Sequence, residues 1–183
     1  MHNTRGKETR KTQPTSSAVK FCYFCQKDIA SYAFTSRINV LQAMIITDKE
    51  KMVLTPTYYV FKMYVPFQDA TFTPVAFDAG WYTRGAVAIP RLDAIAAKDT
   101  NGKLWLEITN LDPNEPVEVE AGLAGITAKS ASGETLTAPK VDSVNTFDAA
   151  NTVMPKPISA KIQGGKLTLK LEPKSVTVVS VEQ

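Results

Sequence analysis

Two cysteines separated by two residues, Cys22 and Cys25, have the spacing that most directly suggests chemistry in this chain. Such a pair supplies half of a tetrahedral zinc site, which commonly takes four Cys or His ligands. The chain has no third cysteine, and its single histidine is His2. Two copies of the chain would together supply four thiolates, and a redox-active pair is a further alternative. We favour two simple thiols and expect neither a metal nor any other cofactor.

Paired carboxylates are the second group that does chemistry, because glycoside hydrolysis places two of them across the scissile bond. Asp48, Glu50 and Asp69 lie in segments with the composition of turns or linkers. The later acidic residues are interpreted as solvent-facing strand positions and turns: Glu107, Asp112, Glu115, Glu118, Glu120, Glu134 and Asp142. We therefore assign no residue of this chain a catalytic role.

Short strands separated by turn signals dominate the chain from Ala86 onward. Apolar and polar residues alternate in Leu104–Ile108 and in Leu167–Leu171, as in half-buried strands. Turns are predicted around Asp112 and at Asn101-Gly102, Ser132-Gly133 and Gly164-Gly165. Seven strands at this spacing predict a β-sandwich. Their predicted ranges are 86–97, 103–110, 117–121, 125–130, 158–162, 166–171 and 175–182.

The first part of the chain differs from this in composition and in hydrophobic pattern. Residues 1–20 are polar and basic, so that they bury too little apolar surface to offset the entropy of ordering, and we expect disorder there. The apolar run 38–47 indicates the end of a helix and its exit. Residues 52–55 then predict a short buried strand, and Thr57 is a candidate N-cap for a helix over 58–67. Residues 68–84 have the composition of a linker.

The distribution of charge argues against a nucleic-acid partner. The formal net charge is +3, and residues 1–28 hold six Lys or Arg against two acidic residues, so that the remainder is close to neutral. A nucleic-acid-binding domain usually shows a basic face on its folded part. No stretch approaches 18 consecutive apolar residues, so we expect no membrane span. No signal peptide is evident, which predicts a cytoplasmic chain if residue 1 is the true start.

Three segments together resemble one enzyme family. They are Asn39-Val40-Leu41-Gln42-Ala43-Met44-Ile45, Leu54-Thr55-Pro56-Thr57-Tyr58-Tyr59-Val60-Phe61 and Asn145-Thr146-Phe147-Asp148. In this order they resemble the carboxy-terminal end of family 51 α-L-arabinofuranosidases, over about residues 38–183. That family pairs a (β/α)8 barrel with a β-sandwich, and a barrel alone takes roughly 250 residues. The 183 residues here therefore have room for the sandwich but not for the barrel.

The resemblance implies a domain plan and a function. It makes residues 1–37 an unmatched leader, 38–68 a remnant of the last βα unit of the barrel, 69–84 a linker and 85–183 a jelly-roll-like β-sandwich. The family's retaining enzymes use two Glu residues on barrel strands that precede everything matched here. We therefore expect a fragment of an enzyme that removes terminal α-L-arabinofuranosyl residues from arabinan, arabinoxylan or their oligosaccharides. We expect the fragment alone to be inactive. The abrupt start of the match at residue 38 or 39 suggests a truncated or frameshifted gene, a pseudogene product or a misassigned start codon.

The resemblance leaves few candidate substrate contacts. Barrel active sites lie at the carboxyl ends of the strands, so Thr55 and Tyr58 would line the arabinose pocket only in an intact barrel. Some relatives carry Trp-Arg-Gln where this chain has Val53-Leu54-Thr55, and the bland alternative is a strand end and a helix core residue. The Asn145–Asp148 loop would lie where the sandwich packs against the barrel.

Two further expectations concern partners. Loss of the barrel would uncover apolar faces and strand edges, which predicts self-association or docking of the remnant helix onto the sandwich. The alternative function is a non-catalytic carbohydrate-binding module, in which Trp81, Tyr82 and Trp105 would stack on sugars.

Overall fold

The structure is a computed structural model that describes residues 43–183, all of which belong to one compact unit. Most of this region is strand. The elements are β1 (Ile45–Asp48), β2 (Lys51–Leu54), helix α1 (Pro56–Met63), a 3-10 turn (Val65–Phe67), β3 (Thr71–Thr73), β4 (Trp81–Arg84), β5 (Val87–Pro90), β6 (Leu92–Lys98), β7 (Leu104–Asn110), β8 (Val117–Gly122), β9 (Ser130–Leu136), β10 (Lys156–Ile158), β11 (Ala160–Gln163), β12 (Lys166–Leu171) and β13 (Ser175–Glu182).

The strands form four antiparallel sheets. The largest has six strands in the order β10-β9-β13-β7-β6-β3, and a smaller one has three strands in the order β11-β12-β8. Two separate hairpins, β1-β2 and β4-β5, complete the set. The predicted mainly-β sandwich is therefore confirmed. The hairpin signals at Asn101-Gly102 and Gly164-Gly165 are also confirmed, because they connect β6 to β7 and β11 to β12.

The main core lies between the six-stranded and the three-stranded sheet. Strand β12 alternates strictly, and its buried residues Leu167, Leu169 and Leu171 face Val179 and Val181 of β13 in one cluster. Complete burial of a Leu or Val side chain stabilises the fold by about 1.5–3 kcal/mol relative to exposure. The alternation in β12 thus gives the small sheet one apolar face and one face of exposed Lys and Thr.

A second apolar cluster covers the opposite face of the six-stranded sheet. Met63 of α1 and Phe67 of the 3-10 turn pack there with Val178 of β13, Leu136 of β9 and Val153. Six of the eight residues of β13 are buried as a result, with side chains on both faces enclosed. The fold therefore has three layers, in which the six-stranded sheet lies in the middle.

Gly133 lies inside β9, and not in a turn as predicted from Ser132-Gly133. A Cβ atom at this position would lie 2.3 Å from the carbonyl oxygen of Val178 and 2.9 Å from the Cα of Val179. Such distances are far below van der Waals contact, so the neighbouring strand leaves room for glycine alone. The close approach of β9 to β13 depends on this missing side chain.

Other sequence predictions are corrected at the element boundaries. The predicted strand 125–130 is wrong, because β9 begins at Ser130, and the predicted strand 86–97 is interrupted at Arg91. The segment 68–84, predicted as a linker, contains β3 and β4, which are short and nearly all exposed.

The segment around β1 also differs from the prediction. Residues 45–48 form a strand and not the end of a helix. Strand β2 precedes α1, as in a βα unit, but it pairs antiparallel with β1. The helix is capped by Thr55, two residues before the predicted cap at Thr57. The assignment of residues 38–68 to a barrel remnant stays a prediction.

The predictions for the leader, for Cys22 and Cys25 and for residues 38–42 lie outside the described residues.

We predict that Gly133→Ala lowers the free energy of unfolding by about 2–3 kcal/mol, because β9 must move away from β13 to admit the methyl group. Urea unfolding followed by circular dichroism measures the change. Gly122→Ala in β8 is the matched control, since a Cβ there meets nothing within 4 Å. Equal unfolding midpoints for the two variants would show that the β9–β13 packing tolerates a side chain.

Candidate functional site

Thr55 stands at the junction of β2 and α1 and is held entirely by backbone groups. Its Oγ1 lies 2.6 Å from the carbonyl oxygen of Ala43 and accepts a hydrogen bond from the N–H of Tyr58 at 3.4 Å. Its own N–H donates to the carbonyl oxygen of Met44 at 3.0 Å. The residue is buried. Thr55 therefore caps the helix and fixes the chain that enters β1, and a sugar contact at Thr55 stays a prediction.

Asn145 links the end of β2 to a loop that lies 91 residues further along the chain. Its Nδ2 donates to the carbonyl oxygens of Leu54 and Val153, each at 2.8 Å, and its Oδ1 accepts from the N–H of Val153 at 2.7 Å. Only 3% of the residue is exposed. We name Thr55, Leu54, Asn145 and Val153 the junction. It brings together the two segments that most specifically resemble the arabinofuranosidases.

Tyr58 is half-buried on α1, with its ring edge-on to that of Tyr59 at 5.5 Å between centroids. Of the two predicted substrate contacts, Thr55 thus belongs to the junction and Tyr58 lies in the first turn of α1. For Asn145, the sequence predicted only that its loop lies at the domain interface. The hydrogen bonds of its side chain were not predicted. An Asn within a turn-rich apolar loop was the available signal, since such a side chain satisfies backbone groups in loops.

Glu107 on β7 is the most perturbed acid among the described residues. The sequence placed it on a solvent-facing position, which is wrong, because it is only 2% exposed on the face of the six-stranded sheet that α1 covers. Thr109 Oγ1 donates to its Oε1 at 2.5 Å, and Tyr64 also donates to it. Burial raises the pKa of Glu107 to about 7, opposed by these two hydrogen bonds and assisted by the nearby Asp93.

The enclosure of Glu107 decides what it can do chemically. A glycosidase acid must reach the leaving oxygen of a bound saccharide, with a second carboxylate opposite. Asp93 is also buried, in the same sheet. A carboxyl group sealed between a sheet and a helix has no route to a polysaccharide. Its pKa near neutrality makes it a group that couples folding to pH rather than a catalytic acid.

Asp112 is a second correction, since it is buried rather than a solvated turn residue. Burial acts to raise its pKa, but the N–H groups of Asn114 and Glu115 and the charge of Arg91 together hold that pKa below its ordinary value. Arg91 Nε lies 3.2 Å from Asp112 Oδ2. The carboxylate is therefore ionised and organises the turn that follows β7.

The aromatic residues proposed to stack on sugars lie on different sheets. Trp105 is half-buried in the six-stranded sheet, its Nε1 donates to Asp99 Oδ2 at 3.0 Å, and Lys103 Nζ lies 5.2 Å from its ring centroid. The hydrogen bond from Trp105 is the first cause of the lowered pKa of Asp99. Trp81 stands on the separate β4-β5 hairpin and is 68% exposed. Trp105 thus has a structural partner, whereas Trp81 is open to a ligand.

Two further features concern residues 43–183. This part of the chain contains no group of three or more His, Cys, Asp or Glu side chains arranged to hold a metal ion. It also contains no helix with the length and apolar character needed to cross a membrane.

Comparison with known proteins gives a consistent result. The model of the α-L-arabinofuranosidase C-terminal domain matches residues 28–175. An intracellular exo-α-L-arabinofuranosidase of Bacteroides ovatus is 40% identical over 147 residues, which cover 79% of this chain and 29% of that protein. The GH51 arabinofuranosidase from Xanthomonas axonopodis pv. citri superposes with a TM-score of 0.76 at 36% identity, covering 79% of this chain and 29% of that one. A thermostable GH51 α-L-arabinofuranosidase from Thermotoga petrophila RKU-1 gives 0.66 at 25%, covering 76% and 31%. This chain therefore spans less than a third of the length of each relative.

We predict that stability falls as pH rises, and that Glu107→Gln removes most of this dependence. The folded-state pKa of Glu107, about 7, lies above its ordinary value of 4.5. The folded state therefore binds more protons between these values, and ionisation costs about 3 kcal/mol of stability once the pH exceeds 7. Urea midpoints at pH 5 and pH 8 should differ much less in the variant. Glu118→Gln, at an exposed position of β8, is the control. Parallel pH profiles for wild type and Glu107→Gln would contradict the assignment.

We predict that Asn145→Ala destabilises the chain by about 2–4 kcal/mol. The substitution leaves the N–H of Val153 and two carbonyl oxygens without partners at a buried site, each at a cost of about 1–3 kcal/mol before water enters. Thermal unfolding measures the loss, and Asn151→Ala, at an exposed position of the same loop, should change little. If both variants melt at the same temperature, the loop does not hold the junction.

Proposed function

We propose, from the premise that this chain belongs to the α-L-arabinofuranosidase C-terminal domain family, that it is the sandwich end of an enzyme acting on terminal α-L-arabinofuranosyl groups. The single observation that carries this proposal is the match of residues 28–175 to that domain alone. The relatives named as arabinofuranosidases are more than three times as long as the matched part. The activity of the whole enzyme is thus inferred from them.

The chain alone is proposed to lack hydrolytic activity. Among residues 43–183 the carboxyl group with the most perturbed pKa, Glu107, is enclosed between sheet and helix, and Asp112 binds turn N–H groups and Arg91. Retaining glycosidases need two carboxyl groups about 5–5.5 Å apart on either side of an accessible bond. The proposed saccharide partners, arabinan and arabinoxylan or their oligosaccharides, would accordingly meet residues that lie elsewhere in a full-length enzyme.

The proposed structural role is to complete and stabilise that enzyme. The junction ties the entry of α1 to a sandwich loop through Asn145, so that chain segments from both sides share one set of buried hydrogen bonds. Thr55 and Tyr58 belong to this region, and we propose that they line an arabinose pocket only when a barrel is present. Exposed apolar residues on β1 and β2, among them Ile45 and Met52, favour self-association of the separate chain.

A second candidate function rests on one observation. Trp81 is largely exposed on a hairpin beside half-buried Tyr82, and aromatic rings of this kind stack on sugars. A non-catalytic carbohydrate-binding module would then bind arabino-oligosaccharides through this hairpin. Titration with such oligosaccharides should leave tryptophan fluorescence unchanged if the first proposal is right. A saturable change that disappears in Trp81→Ala would favour the second.

We predict that the purified, folded chain does not hydrolyse an aryl α-L-arabinofuranoside above the rate of buffer alone. Circular dichroism confirms the fold, and a full-length relative serves as the positive control. Turnover that scales with the concentration of the chain and survives further purification would contradict the proposal. Glu107→Gln and Asp142→Asn would then separate a buried from an exposed carboxyl group as its source.

A further inference from the structure

Residues 74–91, which we name the arm, project from the edge of the six-stranded sheet. They lie between β3 and β6, which pair with each other from Thr71↔Lys98 to Thr73↔Ala96. The arm is therefore the far end of one long hairpin. Its strands β4 and β5 pair with each other and with no other strand in the part of the chain that the structure describes. An isolated two-stranded hairpin is marginally stable in water.

The surface of the arm has the composition of an interface. Trp81 is 68% exposed and Val87 59%, and Val75 and Phe77 are exposed as well. Asp78 and Arg84 are its charged side chains besides Arg91, which pairs with Asp112. Trp81 and Val87 lie on opposite faces of the β4-β5 hairpin, so the arm exposes apolar side chains on both faces. Because the two unpaired charges are opposite, two arms can approach each other without net repulsion.

The hydrogen bonds within the arm determine which backbone groups remain free. The N–H of Arg91 donates to the carbonyl oxygen of Gly80 at 3.0 Å, and the register places Trp81 opposite Pro90. In an antiparallel pair, residues that bond to the partner strand alternate with residues that do not. Tyr82 and Arg84 therefore bond towards β5. The N–H and C=O groups of Trp81 and Thr83 point away from it, along a free edge.

The two edges of the arm are not equivalent. Ala88 and Pro90 occupy the corresponding positions on the outer edge of β5. Proline has no N–H and is a common means of blocking an edge strand. The β4 edge, by contrast, offers every donor and acceptor. It carries Trp81 and Thr83 on one face of the hairpin and Tyr82 on the other.

We propose that the β4 edge pairs with the β4 edge of a second copy of this chain. This inference rests on the proposed self-association and assigns its specific twofold contact to the arm, apart from the exposed residues of β1 and β2. In an antiparallel pair, facing residues point to the same side of the sheet, whereas neighbours along one strand point to opposite sides. A twofold axis perpendicular to the sheet must therefore pass beside one residue, which faces its own copy in the partner. Centred on Tyr82, it sets Trp81 of each copy opposite Thr83 of the other. All four groups on each edge then take part, in four hydrogen bonds, and a four-stranded sheet forms across the two arms.

Thr83→Pro tests the proposal because it removes an outward N–H without touching the β4–β5 ladder. The dimer loses two of its four hydrogen bonds, one donated by Thr83 of each copy, and the proline ring sterically hinders the second strand. The dissociation constant of the dimer should therefore rise by at least about tenfold. Ala88→Pro is the matched control, since Ala88 faces Thr83 in the ladder and its N–H points outward on the other edge. Sedimentation velocity from about 1 to 500 μM, the range expected for a small interface, should show dimerisation of wild type and Ala88→Pro only.

Hydrogen exchange on the wild-type chain provides a test that needs no variant. The amides of Trp81 and Thr83 should become protected as concentration rises, while that of Ala88 should not. A dimer that persists in folded Thr83→Pro, with no added protection at Trp81, would overturn the assigned surface but not self-association. A chain that stays monomeric throughout would overturn both, and the proposed enzyme origin would be unaffected. Binding of an arabino-oligosaccharide to the monomer through Trp81 would assign the arm to a sugar instead.

Discussion

The structure depends on the burial of one strand, β13, from both sides. It runs between β7 and β9 in the six-stranded sheet, with Val179 and Val181 against the three-stranded sheet and Val178 against α1. A sheet that buries both faces must be covered by two separate layers. The helix, the 3-10 turn and the Asn145 loop form the second layer, and Gly133 allows β9 to approach β13 closely enough to share it.

The same constraint explains the acid that the sequence misplaced. Alternation in Leu104–Ile108 correctly separated the two faces of β7, and it put Glu107 opposite the leucines. Alternation does not reveal whether the second face meets water or another layer, because the helix that covers it ends at Met63, 44 residues before Glu107. Burial by that helix is what raises the pKa of Glu107. The fold was therefore predictable from local pattern, and the electrostatics were not.

Local signals were reliable where a backbone conformation needed a particular residue. Gly102 and Gly164 have positive φ and connect the hairpins that Asn101-Gly102 and Gly164-Gly165 predicted. Gly133 is also a glycine, but it lies in a strand, where the backbone of the neighbouring strand leaves no room for a side chain. This tertiary contact cannot be predicted from the turn preferences of glycine. Strands β3 and β4 were missed because each has only three or four residues, most of them exposed. At the junction, Thr55 and Tyr58 were singled out through family resemblance, whereas the bond from Asn145 to Leu54 joins positions that no local pattern connects.

The junction also marks the boundary between the packed sandwich and the β1-β2 hairpin, which the sandwich covers only in part. All four residues of β1 are exposed, and this strand pairs only with β2 among residues 43–183. Two strands alone do not make a stable sheet, so the β1-β2 hairpin relies on the bonds of Thr55 to Ala43 and Met44 and of Asn145 to Leu54. Those bonds fix the open end of the hairpin, where residues 43–44 face Thr55, and leave the apolar side chains of Ile45, Ile46 and Met52 exposed. Among residues 43–183, a sandwich with buried apolar clusters thus stands beside a hairpin with exposed apolar side chains. The two apolar clusters stabilise the sandwich, while the apolar side chains of the β1-β2 hairpin stay exposed.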